Sequence, residues 1–254
     1  EAGSRSRPHH NGADMRIAIE ATDEVGRRAA RILLNEFSLQ RLGLVSEQHT
    51  VTGKRVERAT DLATYDVLVT DAADPRSAFE NALDANIDCV AWRGAEYFTS
   101  SLSDELEVAG RSLVINANLG QGIGPALAGH EIARGGEVLD VEIAWTEPGR
   151  PLRRGTAVPF PKPVGARWGR TDTDTWGQSV TIVPTAGTEG VSTRVVGVSD
   201  QAAHLEALSL AAAAAAAASG AYPMGRQGAA DIGDSYLHRA IEMGLDIAFF
   251  SYSS

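Results

Sequence analysis

The chain has 254 residues, of which 43% are hydrophobic and 22% charged, an ordinary globular composition with length enough to bury a sizeable core as one large domain or two modest ones. Its formal net charge of −10 repels nucleic-acid phosphates and anionic membrane surfaces, so neither is expected as a partner, and no stretch reads as a membrane span. The lone cysteine, Cys89, cannot close an internal disulfide, which rules out a disulfide-stapled secreted fold; the expected location is cytoplasmic.

Residues 1–14 are polar, lack the apolar core of a signal peptide and are expected to be a disordered arm or an expression remnant. From Met15 the pattern becomes regular. Met15 to Glu20 reads as a strand, and Glu24 to Asn35 sets Val25, Ala29, Ile32 and Leu33 at helical spacing with Arg27, Arg28 and Arg31 outward. Asp23 stands at the N-cap. Leu42 to Ser46 is a second strand, and strand, tight turn, helix, strand is a βαβ unit. The alternation goes on with strands at 66–71, 87–92 and 113–118 and helices at 75–86 and 103–109. Short, continuous apolar runs between helices imply strands covered on both faces, hence a largely parallel sheet.

After Gly120 the character changes. Gly120, Gly122 and Gly124 lead into a helix over 125–134 with Pro125 in its first turn. Residues 138–146 alternate as a half-exposed strand, a loop rich in Pro, Gly and Arg spans 147–170, and strands at 179–185 and 192–199 form a hairpin. An alanine-rich helix over 201–219 follows, and the tail from Asp231 is apolar enough to pack on the body or on a partner subunit. The fold class expected is α/β: an N-terminal Rossmann-like parallel sheet with helices on both faces over residues 15–119, and over 120–254 an α+β substrate or oligomerisation domain, a mixed sheet covered by the alanine-rich helix.

A dinucleotide turn uses G-x-G-x-x-G, whose glycines let the backbone approach a pyrophosphate at the helix start. The corresponding residues are Ala21, Thr22, Asp23, Glu24, Val25 and Gly26, so only the third glycine is kept, and two carboxylates stand where a diphosphate would sit. Glu47, after the second strand, is a candidate ribose acceptor, and Thr70 and Ala72 are candidates for the adenine–ribose side. Gly122 and Gly124 are candidate substrate contacts, equally readable as a crossover between domains. Lys162, Arg167 and Arg170, in a proline-stiffened loop, are candidate contacts to a substrate carboxylate or phosphate, with a dimer-interface or domain-capping loop as the alternative. No spacing of His, Cys, Asp and Glu suits a metal, and no Gly-x-Ser-x-Gly elbow is present. No residue stands out as a catalytic proton donor.

The order of elements, together with Ala117-Asn118-Leu119-Gly120-Gln121-Gly122-Ile123-Gly124-Pro125-Ala126-Leu127, resembles the saccharopine-dehydrogenase-like and dihydrodipicolinate-reductase-like oxidoreductases, whose Gly-x-x-Pro-Gly-Leu turn this segment is similar to. The resemblance spans Met15 to about Pro223. It implies NAD- or NADP-linked reduction of an imine or related group in an amino-acid-type or carboxylate-bearing small molecule, by a homodimer or homotetramer assembled through the C-terminal sheet. The paired-histidine and lysine signature of the dihydrodipicolinate reductases is absent, which leaves open a non-catalytic binding or scaffold protein with an eroded cofactor site.

Overall fold

The computed structural model describes residues 14–45, 51–98, 101–134, 137–145, 176–187 and 190–253. The N-terminal alternation folds as β1 (Met15–Glu20), α1 (Glu24–Leu33), β2 (Leu39–Leu44), β3 (Val56–Arg58), β4 (Val67–Thr70), α2 (Arg76–Asp84), β5 (Asp88–Ala91), α3 (Ser101–Ala109) and β6 (Ser112–Ile115). The second half supplies α4 (Gly124–Ala133), β7 (Glu137–Val138), β8 (Glu142–Trp145), β9 (Trp176–Gly187), β10 (Gly190–Gln201), α5 (Ala202–Ala218), β11 (Gly225–Gly228), α6 (Asp234–Glu242) and β12 (Ala248–Ser253).

Seven strands form a parallel sheet in the order β11-β6-β5-β4-β1-β2-β3. Its central strands β1, β4, β5 and β6 are buried almost throughout because both faces are covered, and alternate residues serve opposite cores. Val67 and Val69 of β4 join Ile17, Ile19, Leu33 and Ala212 on the α1/α5 side. Leu68 joins Ala18, Phe79, Cys89 and Leu106 on the α2/α3 side. Burial pushes the Cys89 thiol far above its ordinary pKa, and the side chain is a core filler.

Among the described residues the second sheet has five strands, all antiparallel rather than mixed: β12-β10-β9-β7 in order, with β8 also on β9. Residues 138–146, read as one strand, give two short ones, β7 and β8, broken around Asp140. The alanine-rich helix also differs from expectation. It reaches β9 and β10, but its principal neighbours are α1 and the parallel sheet, while α4 lies on β8, β9 and β10. Every residue of α5 except Ala203 and His204 is buried. A helix of methyl groups lets backbones come close and forfeits almost no side-chain entropy, which suits a position between two layers.

The parallel sheet takes its seventh strand from β11, far beyond residue 119 in sequence, with Gly225 to Gly228 paired to Ser112 to Ile115. Gly-Arg-Gln-Gly has no apolar period, so only the free edge of β6 makes it a strand.

Candidate functional site

In an open parallel sheet, ligands bind outside the carboxyl ends of the strands. Four strand ends converge there: β1 with Glu20 and the turn into α1, β4 with Thr70, Asp71 and Ala72, β5 with Trp92, and β6 with Asn116 to Asn118.

The β1–α1 turn is occupied by a side chain from the neighbouring strand end. Asp71, only 2% exposed, accepts four hydrogen bonds. Its Oδ1 takes the Thr22 N–H at 2.6 Å and the Thr22 hydroxyl at 2.8 Å; its Oδ2 takes the Asp23 N–H at 2.9 Å and the Gly26 N–H at 2.7 Å. Asp23 is the N-cap, its Oδ1 accepting from the Glu24 N–H at 2.6 Å. Glu24 is paired with Arg28 and Arg27, and the Arg28 guanidinium above all holds its carboxyl below the usual range. Two carboxylates therefore satisfy most of the orphan N–H groups and the positive end of the helix dipole. Gly26 is kept for the same contact: a Cβ there would lie 2.5 Å from Asp71 Oδ2 and 2.8 Å from the Ala21 Cα.

Thr70 and Ala72 are brought beside this turn but are engaged locally. The Thr70 hydroxyl donates to Glu20 Oε2 at 3.0 Å and accepts the Ala72 N–H at 3.1 Å. Ala21 and Val25 are buried.

The β6–α4 turn closes by packing. Asn118 caps a single π-helical turn over Leu119–Ile123, which runs straight into α4. A Cβ on Gly122 would lie 2.7 Å from the Tyr236 hydroxyl and 3.1 Å from both the Asn116 carbonyl and Ser209 Oγ. One on Gly124 would lie 3.0 Å from Ser179 Oγ, and one on Gly120 would lie 2.6 Å from the Trp145 indole nitrogen. These glycines make room for protein. Gly122 and Gly124, read from the sequence as candidate substrate contacts, are buried among α5, α6 and the second sheet. Over this turn sits Glu206 of α5, 7% exposed, whose Oε2 accepts the Trp92 indole N–H at 2.8 Å and the Leu119 N–H at 3.0 Å.

Glu47, Lys162, Arg167 and Arg170 lie outside the described residues. Asp71 and Glu206 are the side chains that sequence reasoning missed. Asp71 had a signal: an acid ending a strand that neighbours β1 faces the β1–α1 turn. Glu206 had one in being an acid inside an otherwise apolar helix. Among the described residues no group of His, Cys, Asp and Glu is arranged to hold a metal, and no helix is long and apolar enough to cross a membrane.

No family model matches this chain, and no curated protein matches it. Solved structures do. Apo saccharopine dehydrogenase (L-Glu forming) from Saccharomyces cerevisiae superposes with a TM-score of 0.62 at 10% identity, over 93% of this chain and 100% of that one. An engineered D-amino acid dehydrogenase bound to NADP+ gives 0.60 at 15% identity, over 89% and 96%. Dipicolinate-bound dihydrodipicolinate reductase from Paenisporosarcina sp. TG-14 gives 0.50 at 12%, over 85% and 98%. The chain thus has the fold of the NAD(P)-binding Rossmann oxidoreductases, a parallel α/β sheet followed by an antiparallel sheet.

That fold implies a dinucleotide whose diphosphate sits on the N–H groups at the start of α1. The residues present do not fit one. The Thr22, Asp23 and Gly26 N–H groups are spent on Asp71 and that of Glu24 on Asp23. An arriving diphosphate would also face the carboxylates of Asp23, Glu24 and Asp71 at close range.

Proposed function

We propose that this chain is a non-catalytic Rossmann-fold binding or scaffold protein that keeps the architecture of amino-acid dehydrogenases and reductases and has given up the dinucleotide turn. The observation that carries this reading is the Asp71 carboxylate seated on the Thr22, Asp23 and Gly26 N–H groups. The antiparallel sheet would serve assembly, as a homodimer or homotetramer. In support, Trp145, Val191, Phe249 and Phe250 on its strands are 43%, 39%, 59% and 45% exposed. Titration with NADH and NADPH, followed by nucleotide fluorescence and melting temperature, tests the reading. The expected result is no saturable binding of either nucleotide at ~1 mM.

The likeness to dehydrogenases favours a second reading, an NAD(P)-dependent oxidoreductase acting on an amino-acid-type or carboxylate-bearing small molecule. Saturable binding at micromolar concentration, with a rise in melting temperature as ligand exceeds its dissociation constant, would install it in place of the first.

A further inference from the structure

The fold calls for an anion at the start of α1, and the chain delivers one from inside itself. Asp71 makes the contacts expected of a bound oxyanion: both oxygens are used, each by more than one donor, at 2.6–2.9 Å. It arrives from β4, 45 residues from Gly26 in sequence, so the contact is tertiary and not a local cap. Its hydrogen-bond donors among the described residues are all neutral, three backbone N–H groups and one hydroxyl. A carboxylate that is 2% exposed and held by neutral donors is stable there because the donors are already arrayed for negative charge. Gly26 supplies the space, since any side chain at that position would collide with Asp71 Oδ2.

We propose that Asp71 is an intramolecular occupant of the fold's anion site, a latch that keeps the turn liganded at all times, and that a small free carboxylate takes its place once the side chain is removed. This rests on the reading of the turn as closed to dinucleotides. Asp71→Ala removes the carboxylate and leaves a hole of about its size facing three N–H groups and the Thr22 hydroxyl. The variant should melt at least ~5 °C lower, because buried donors are left unpaired. Sodium formate at ~0.1 M should recover about half of that loss, while sodium chloride at the same ionic strength recovers none and the parent protein responds to neither salt. A residue that merely filled space would give the loss without the rescue, and that result would overturn the proposal.

Should Asp71→Ala fail to fold, amide exchange of the unaltered protein carries the test. The Thr22, Asp23 and Gly26 amides should exchange as slowly as the interior of α1, and rapid exchange at all three would overturn the latch. In Asp71→Asn the N–H groups left facing the amide nitrogen, either that of Thr22 or those of Asp23 and Gly26, should exchange faster while the rest of α1 does not, since an amide offers one acceptor oxygen where the carboxylate offers two; unchanged protection of all three would count against the proposal. Binding of NADH by the parent protein would sink the reading above. Absence of formate rescue sinks the latch alone.

Discussion

The two turns that frame the carboxyl edge of the parallel sheet are built from opposite materials and reach the same end. The β1–α1 turn keeps one glycine of the dinucleotide pattern and is closed by charge, with the Asp71 carboxylate gathering its N–H groups. The β6–α4 turn has three glycines in five residues, the more inviting of the two on paper, and is closed by volume, with Tyr236, Ser179 and Trp145 lying where side chains would be. Even there a carboxylate intervenes, Glu206 holding the first N–H of the π-helical turn. A glycine-rich loop at a strand end therefore reports close approach, and only the partner's identity tells whether what approaches is ligand or protein.

Substitutions can separate the two kinds of closure. The largest effect is expected for Glu206→Ala, which strands the buried Leu119 N–H and the part-buried Trp92 indole N–H, and should cost about 3 kcal/mol in denaturant unfolding. Gly122→Ala comes next, at about 2 kcal/mol, because its neighbours are a fully buried tyrosine hydroxyl and a backbone carbonyl that have no room to yield. In the charge-closed turn, Asp23→Ala removes a single cap bond and should cost about 1 kcal/mol. Gly120→Ala should be mildest, under about 1 kcal/mol, although its nearest contact is as short as that of Gly122, because the half-exposed Trp145 ring can swing outward. A red shift of tryptophan emission would accompany it. Equal costs at Gly120 and Gly122 would break the distinction between a yielding neighbour and a fixed one.

Much of this was legible in the sequence. The short, continuous, largely apolar runs of β1, β4, β5 and β6 and the capped stripe of α1 follow from local chemistry, and so they can be read without tertiary information. The carboxylates in the β1–α1 turn were legible as well, as a misfit to a diphosphate. What satisfies that turn was signalled only by an acid at the end of a strand, and that this strand lies beside β1, 45 residues from Gly26, is tertiary information. The same holds for β11, a strand by virtue of its neighbour alone. It holds also for the alanine-rich helix, whose featureless surface names no partner. A helix apolar on one stripe declares which side is inward, whereas one buried nearly all round fits either layer equally well.

The pairing of β11 with β6 orders events in time. A chain emerging from the ribosome completes β6 at Ile115 but must wait for Gly225 before that edge can be closed. In between it has to synthesise the whole antiparallel sheet except β12, and the helix that lies on both sheets. Until then the nascent protein carries an open parallel edge of fully buried-type residues, the kind of surface that other chains extend. Release from that hazard comes late and all at once, so a chain that stops before residue 225, and so lacks β11, should aggregate more readily on refolding than the full-length chain.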